Sequence, residues 1–327
     1  MIVLVISIFF GIVPMLIYAG ILWWLDRWEK EPLPLLGSIF LWGFIPSACF
    51  ALITQIILDV PVQYVFSELY FSPIGADIVG ASIIAPLTEE FIKGAAVLLV
   101  FVLYRREFDS VLDGIIYGSL VGFGFAAIEN ILYFSTAGGI LGCLIFLRAF
   151  LFGLNHAFFT SLTGIGFALA RFRKGWLGKL TLPVLGLITA MAAHGLHNFL
   201  VSVGPIGFPI AILADWMGAL GVLIIAVISL VNEARWIRTY LAAEVEQGVL
   251  TAAQAATVSS FTGRIAAGWR AAARGPGYWR KNRRFYKECA ELAFKKHQRA
   301  KVGDRERNAE LITKIRAEVV KLSQELS

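Results

Sequence analysis

The chain has 327 residues, of which 58% are hydrophobic and only 16% are charged, and its mean hydropathy is +0.73. Because soluble domains average about 25% charged residues, this composition excludes a soluble globular enzyme and a disordered protein. The net charge of +6 is unevenly spread. Residues 1–231 carry 10 basic and 13 acidic side chains, whereas residues 232–327 carry 19 and 10. We therefore expect a transmembrane domain, 1–231, followed by a basic tail, 232–327.

Apolar stretches long enough to cross a bilayer, which takes about 20 residues, follow one another through the first domain. The predicted spans are Met1–Leu25, Leu33–Leu58, Ile78–Tyr104, Val111–Phe134, Arg148–Ala170, and two spans that share the long run from Leu180, divide at Gly204-Pro205 and end near Val231. Loops with Lys or Arg alternate with loops that have none. Because basic loops favour the cytoplasm, the N-terminus is predicted outside and the C-terminus inside. The sequence thus predicts an all-α, polytopic membrane bundle of about seven transmembrane helices.

The basic tail mixes Ala, Leu, Ile, Glu, Lys and Arg at helical spacing in segments such as Glu288–Arg299 and Glu306–Leu326. This pattern predicts two or three amphipathic helices on the cytoplasmic side. Between Trp269 and Lys287, aromatic side chains are interleaved with basic ones. Such a composition also occurs in nucleic-acid-binding proteins. Beside a membrane domain, however, we expect it to attract anionic lipid and not nucleic acid.

Charged side chains within the spans are informative, because each costs about 2.5–3.5 kcal/mol at the centre of a membrane helix. Glu89, Glu90 and Lys93 lie near the middle of the third span. Lys93 follows the two carboxylates by four and three residues, so it can reach either on the helix surface. Two adjacent carboxylates in a low dielectric cannot both ionise easily. The cluster therefore predicts a general base beside a proton donor, with a charge-paired helix contact as the alternative.

The fourth and fifth spans contain further polar residues. Glu129 stands among apolar neighbours, after a run of small residues at 118–124 that favours close helix packing. A catalytic role for Glu129 competes with an ion pair to Arg148, which is otherwise expected at the outer interface or near the substrate. Asn130 is suited equally to the site and to a hydrogen bond between helices. His156, which follows Asn155, is a candidate for the site.

The sixth span supplies a second histidine. His194 and Asn198 are four residues apart and share one helix face, whereas His197 could share that face or point aside. We expect Asp113 to cap the fourth span, and Asp215 to be a structural or interfacial acid in the seventh.

Carboxylates and histidines together suit peptide-bond hydrolysis. One carboxylate can take a proton from water, a histidine or a metal can orient that water, and an Asn amide can donate to the oxyanion. Glu129, His156 and His194 would also suit a zinc site with three protein ligands and an open position. Because the HExxH motif is absent, glutamic and metal-dependent chemistry both stay open.

At these residues the sequence resembles the PrsW family of intramembrane proteases, over about Ile21–Val231. The resembling motifs are Glu89-Glu90-x-x-Lys93, the Gly-rich run from Gly122 to Phe125 and on to Glu129-Asn130, Asn155-His156, and His194-x-x-x-Asn198. The family looks related to the type II CAAX prenyl endopeptidases, whose EExxxR and FxxxH motifs read here as EExxK and Phe125-x-x-x-Glu129.

The resemblance implies that Glu89 and Glu90 supply the base and that His156 and His194 complete the site. We expect Glu129 and Asn198 to take part, with Lys93, Phe125, Asn130 and Arg148 supporting or contacting substrate. The resemblance further implies a multi-pass protein of the bacterial cytoplasmic membrane that cuts a membrane-protein substrate, such as an anti-sigma factor on its outer side.

Two other functional classes remain open at this point. A non-catalytic scaffold that recognises transmembrane helices is disfavoured by the intact set of Glu89, Glu90, His156 and His194. A proton-coupled transporter that uses Glu89, Glu90 and Lys93 as a relay is disfavoured because the sequence has no visible inverted repeat.

Overall fold

The computed structural model describes residues 1–65, 73–303 and 308–326, and all regular elements in these ranges are helices. The α-helices are α1 Ile2–Leu25, α2 Leu33–Trp42, α3 Ala48–Tyr64, α4 Pro73–Val79, α5 Ala85–Leu103, α6 Val111–Ser135, α7 Leu141–Ile145, α8 Asn155–Arg171, α9 Trp176–Ser202, α10 Gly207–Glu246, α11 Ala252–Val258, α12 Phe261–Ala273, α13 Pro276–Val302 and α14 Asn308–Leu326. Wider π-helical turns at Gly43–Ser47, Gly80–Ile84 and Phe146–Leu151 connect some of them. The predicted all-α, polytopic membrane bundle is confirmed.

Six helical segments are long and apolar enough to cross a membrane: Ile2–Leu25, Leu33–Tyr64, Val111–Ser135, Gly138–Arg171, Trp176–Ser202 and Gly207–Glu246. The predicted third span is helical as well, through α4, the Gly80–Ile84 turn and α5. It lacks the composition of an apolar span because α5 carries Glu89, Glu90 and Lys93. The count of seven spans and their orientation stay predictions.

The fifth span differs from its predicted form. It was expected to begin near Arg148, but the apolar segment extends from Gly138 to Arg171 and its helix breaks between Leu151 and Asn155. Sequence periodicity does not reveal this break, because the residues that form it are as apolar as their neighbours. As a consequence, Asn155 and His156 form the first turn of α8.

Other predicted elements differ from the structure only at their ends. α10 continues past Val231 as one helix to Glu246, because residues 232–246 keep helix-forming composition after the apolar run ends. The predicted tail helix Glu288–Arg299 lies inside α13, and the predicted segment Glu306–Leu326 corresponds to α14 from Asn308 onward. Glu306 itself lies outside the described residues. The predicted cap on the fourth span is confirmed, because Asp113 Oδ2 accepts hydrogen bonds from the Ser110 and Asp109 amides.

The chain divides into two compact units. The first comprises residues 1–25, 31–171 and 175–226, and it is built around α6, which contacts α1, α2, α5 and α8. The second comprises residues 26–30, 172–174 and 227–327. Its core includes Trp28, Ile237, Leu241, Phe285 and Cys289. A buried Glu244 accepts from Lys296 and Arg316 at 2.7–2.8 Å within that unit.

Glycines on α6 bring α8 into backbone contact. A Cβ at Gly122 would collide with the His156 carbonyl group, and one at Gly118 would lie 2.5 Å from the Thr160 carbonyl oxygen. Gly118 and Gly122 of the predicted small-residue run at 118–124 therefore lie against the first turns of α8, whereas Gly124 lies against the Phe40 carbonyl of α2. Because the backbone of His156 itself contacts α6, this packing fixes where the His156 side chain begins.

Replacing Gly122 with Ala should test this contact. We expect the added methyl group to push α8 away and to lower the free energy of unfolding by about 1–3 kcal/mol, the usual cost of overpacking. Thermal unfolding of the purified protein measures the effect. Gly20→Ala is the matched control, because no atom lies within 4 Å of the position that its Cβ would occupy. Equal midpoints for the two variants would contradict the packing argument.

Candidate active site

A cavity of about 480 Å³ lies in the first unit. Its polar lining includes Gln55, Glu89, Glu129, Asn130, Arg148, Asn155, His156, His194, His197 and Asn198. Most of the sequence-predicted site residues thus reach one cavity, although they come from α5, α6, α8, α9 and the Phe146–Leu151 turn. Glu90, Lys93 and Phe125 are buried beside it.

The predicted cluster on α5 forms a buried ion-pair network. Lys93 Nζ lies 2.6 Å from Glu90 Oε1 and 3.4 Å from Glu89 Oε2, so it contacts both carboxylates. Lys93 and Glu90 have no solvent-exposed surface, whereas Glu89 keeps 6% exposure and lines the cavity. The two adjacent glutamates therefore have different environments, and only Glu89 faces the space where a substrate could bind.

Glu90 connects three helices. Besides Lys93, its carboxylate accepts a hydrogen bond from Thr160 Oγ1 at 2.9 Å and lies 3.0 Å from His194 Nδ1. These partners occupy both carboxylate oxygens and join α5 to α8 and α9. Such a fully engaged, buried carboxylate is suited to positioning its neighbours.

Glu89 has a neutral partner that the sequence analysis did not select. Gln55 Nε2 on α3 donates a hydrogen bond to Glu89 Oε1 at 3.1 Å. A signal was available, because a polar amide inside a predicted apolar span usually finds a hydrogen-bond partner on another helix. His194 Nε2 lies 3.9 Å from Glu89 Oε2, which brings an imidazole nitrogen near the exposed carboxylate.

His194 is held on both sides. Its Nδ1 contacts Glu90, and its ring stacks on Phe159 with centroids 4.8 Å apart and planes 14° apart. One turn further along α9, Asn198 Nδ2 donates to the Ala81 carbonyl at 2.7 Å. Asn198 therefore attaches α9 to the Gly80–Ile84 turn that precedes α5.

His156 bridges two charged groups. Its Nδ1 lies 3.3 Å from Lys93 Nζ and its Nε2 lies 2.7 Å from Glu129 Oε2. Because an ammonium group can only donate, Nδ1 is the acceptor and Nε2 carries the proton that Glu129 accepts. Phe125 packs beside this bridge, with Lys93 Nζ 4.2 Å from its ring centroid and the His156 ring 5.2 Å away.

Glu129 and Arg148 form the ion pair that the sequence analysis held as an alternative to catalysis. Arg148 Nη2 lies 2.6 Å from Glu129 Oε2, and Arg148 Nε donates to Asn130 Oδ1 at 3.1 Å. The guanidinium also lies 3.9 Å from the centroid of the Tyr133 ring. Arg148 therefore fixes one edge of the cavity by contacting three residues of α6.

A second polar cluster borders the cavity. Asp215 Oδ2 lies 2.7 Å from His197 Nδ1 and accepts from Asn155 Nδ2 at 2.9 Å. Asp215 was expected to be a structural or interfacial acid and His197 was left open, whereas Asn155 belongs to the Asn155-His156 motif; their contact could not be predicted because the three residues lie on different helices. The cost of a carboxylate in a span, which applied to Glu129, applies equally to Asp215 and was the available signal.

Three side chains could hold a metal ion together. The ligand atoms of Glu89, His156 and His194 lie within 4.8 Å of one another. Glu89 takes the place in this group that the sequence analysis gave to Glu129, because the Glu129 carboxylate is engaged by Arg148 and His156. Two imidazoles and a carboxylate are a common donor set for catalytic zinc.

The surroundings of this donor set also fit a metal site. Metal-binding histidines usually donate their second ring nitrogen to a carboxylate. Here Glu90 lies behind His194 and Glu129 lies behind His156, each at hydrogen-bond distance. Because Nε2 of His156 is bonded to Glu129, a metal would use Nδ1 and would have to replace the Lys93 ammonium that lies 3.3 Å from it.

Comparison with known proteins gives consistent matches. The model of the PrsW family intramembrane metalloprotease matches residues 31–232. Protease PrsW of Geobacillus kaustophilus is 34% identical over 148 residues, which are 45% of this chain and 59% of that protein. Protease PrsW of Oceanobacillus iheyensis is 38% identical over 117 residues, 35% of this chain and 51% of that protein. For Protease PrsW of Bacillus subtilis the identity is 26% over 200 residues, 59% and 81% of the two chains.

The chain therefore spans between half and three fifths of the length of the first two relatives. No solved structure matches it.

The Arg148 ion pair yields a prediction. Arg148→Gln leaves the Glu129 carboxylate without its cation, and since both side chains are about one quarter exposed, we expect a loss of about 1–2 kcal/mol in unfolding free energy. Adding Glu129→Gln should restore part of that loss, because the unpaired charge is gone. Thermal unfolding of the two single variants and the double variant measures the coupling. Additive effects would contradict a direct ion pair.

Proposed function

Because the chain belongs to the PrsW family of intramembrane metalloproteases, we propose that it is an endopeptidase that hydrolyses a peptide bond of a membrane protein. One observation carries this proposal. Glu89, His156 and His194 converge on a cavity inside a bundle of apolar helices.

In the proposed reaction Glu89 is the general base. Its carboxylate is the one of the adjacent pair that faces the cavity, so it can accept a proton from a water molecule there. The Gln55 amide and Lys93 hold the carboxylate in position. After attack on the scissile carbonyl, the same carboxylate can return the proton to the leaving amine.

The histidines would assist at the reacting carbonyl. His194 Nε2 points toward Glu89 and is free of the Glu90 contact made by Nδ1. With Glu90 orienting its ring, His194 is suited to orient the water or to donate to the developing oxyanion. Glu129 accepts a hydrogen bond from His156 Nε2 and orients the His156 ring in the same way. We assign Glu90 and Glu129 as positioning residues.

A metal would use the same side chains. Glu89, His156 and His194 would hold a divalent ion, which when bound supplies Lewis-acid polarisation of the scissile carbonyl. Glu90 and Glu129 would then orient the two imidazoles for ligation. The ligand and base roles compete for Glu89, so metal content decides between them.

The substrate is proposed to be a protein with a membrane span, such as an anti-sigma factor. A cavity of about 310 Å³ has apolar side chains of α3 and α6, among them Leu52, Ile128 and Leu132, in its lining and shares Gln55, Glu89 and Glu129 with the larger cavity. It offers an apolar approach to the carboxylate between two membrane helices. We also propose that the protein resides in a bacterial cytoplasmic membrane with its basic tail toward anionic lipid.

The two glutamates should respond differently to substitution. Glu89→Gln should lower the cleavage rate by about 10²–10⁴-fold, the usual contribution of a general base, with little change in thermal midpoint. Glu90→Gln should lower both the rate and the midpoint, because it removes the charge that pairs with buried Lys93. Purified protein reconstituted with a single-span substrate, together with thermal unfolding, gives both measurements.

Two controls accompany this experiment. Glu310→Gln removes a carboxylate that is exposed in the tail and should leave the rate unchanged, whereas His194→Ala should lower it. Unchanged cleavage in the Glu89, Glu90 and His194 variants would contradict the protease assignment.

The metal content of the purified protein tests the three-donor group. If Glu89, His156 and His194 act as metal ligands, we expect about one zinc ion per chain, as in other sites with this donor set, and a clear loss of zinc in His194→Gln. His197→Gln should retain the metal, because His197 lies in the same cavity but outside the three-donor group. Elemental analysis of dialysed protein measures this. A zinc-free preparation that still cleaves substrate would assign Glu89 the base role alone.

A further inference from the structure

A separate cavity, of about 590 Å³, lies in the second unit and is strongly basic. Seven Lys or Arg residues line it and one carboxylate, Glu288, accompanies them. The walls come from the loop between α1 and α2, which contributes Arg27 and Lys30, and from α12 and α13. This cavity takes no part in the proposed peptidase site.

One wall is a basic face of α13. Arg280, Arg283 and Lys287 recur at intervals of three and four residues, so they project from one side of the helix. All three are exposed, and among the described residues no carboxylate lies within ion-pair distance of them. Arg284 differs, because it pairs with Glu318 at 3.1 Å. The face therefore presents positive charge that the described part of the chain does not neutralise.

Arg264 lines the same cavity and binds the loop between α1 and α2. Arg264 donates from Nη1 to the carbonyls of Arg27 and Trp28 at 3.2 Å, and from Nε to the Val258 carbonyl at 2.7 Å. Neutral carbonyls accept these bonds, so the charge of Arg264 adds to the field of the cavity. Burial lowers the pKa of Arg264 to about 10, which still leaves it charged at neutral pH.

Basic side chains of the α1–α2 loop and of α13 repel one another electrostatically. Burial lowers the pKa of Lys30, and Arg283 and Arg27 lower it further, against the opposing effect of Asp26. Like charges that line one cavity are stabilised when an anion lies between them. Guanidinium groups in particular match the oxygens of a phosphate.

The position of the loop in the chain indicates the source of the phosphate. Arg27 follows the end of α1 by two residues, and Lys30 precedes the start of α2 by three. Both helices are membrane-span candidates, so the loop lies at the bilayer surface, where lipid phosphates are concentrated. Trp28, Trp279 and Tyr286 also line the cavity, and such aromatic side chains favour the headgroup region.

We propose that this cavity binds the phosphate of an anionic phospholipid from the cytoplasmic leaflet. The site deepens the lipid contact proposed for the tail, and gives it named ligands in Arg27, Lys30, Arg280, Arg283 and Lys287. A volume of about 590 Å³ is within the range of small-molecule pockets, about 300–1,000 Å³.

Native mass spectrometry of the full chain in detergent tests the site. The protein is titrated with phosphatidylglycerol, with phosphatidylcholine, and with soluble glycerol phosphate. The variant is Arg280→Gln, Arg283→Gln and Lys287→Gln together. The matched control is Arg299→Gln, Lys301→Gln and Lys314→Gln, which removes three exposed cations outside the cavity.

We expect wild type and control to retain phosphatidylglycerol in preference to phosphatidylcholine. Each cation near an anionic surface strengthens binding about fivefold, so the cavity variant should bind phosphatidylglycerol on the order of 100-fold more weakly. Substituting Lys for the two arginines should restore part of the affinity. Thermal unfolding verifies that all variants are folded.

Equal phosphatidylglycerol retention by the cavity and control variants would overturn the proposal. Glycerol phosphate binding without lipid binding would overturn it too, because it would identify a soluble ligand. Cleavage of a membrane substrate is a separate measurement. A chain that retains the lipid and cleaves nothing would leave this site standing while contradicting the proposed peptidase.

Discussion

The buried contact between Lys93 and Glu90 is the interaction on which the site depends. Both side chains are inaccessible to solvent and 2.6 Å apart, and breaking a buried pair by removing one partner costs about 3–5 kcal/mol. Glu90 extends this contact to Thr160 and His194 on two further helices. Ion pairs and hydrogen bonds therefore join the helices that line the cavity. Within a lipid bilayer, apolar contacts alone would give these helices little specificity.

Close packing around α6 complements these polar contacts. Gly118 and Gly122 let the backbone of α8 approach α6, and the helix break before Asn155 brings His156 into the first turn at that contact. A broken helix at membrane depth is tolerated where the freed backbone lines a cavity. Glu129 and Arg148 then hold His156 and the preceding turn from the other side. Backbone proximity and ion pairing thus determine the same position independently.

Much of the fold was predictable because a helix that crosses a bilayer needs a long run of apolar residues. Apolar runs located the helices, and the charges inside them, such as Glu89 and Glu129, identified the cavity-forming positions. Sequence could not place the break before Asn155, since its one mark, Gly153, resembles the many other glycines that lie inside helices of this chain. Nor could it pair Asp215 with His197 or Gln55 with Glu89, because those contacts depend on which helices are neighbours. The basic cavity was unpredictable for the same reason, since Lys30 and Arg283 are distant in sequence.

Two adjacent acids on one helix acquire different tasks because a helix turns about 100° per residue. Glu90 points into the bundle, where Lys93, Thr160 and His194 occupy its oxygens. Glu89 points toward the cavity and retains one neutral donor, Gln55, and a longer contact with Lys93. A lysine shared unequally between them neutralises the structural carboxylate more than the exposed one. The pair therefore gives the cavity both a fixed anchor and a carboxylate available to water, which neither residue could provide alone.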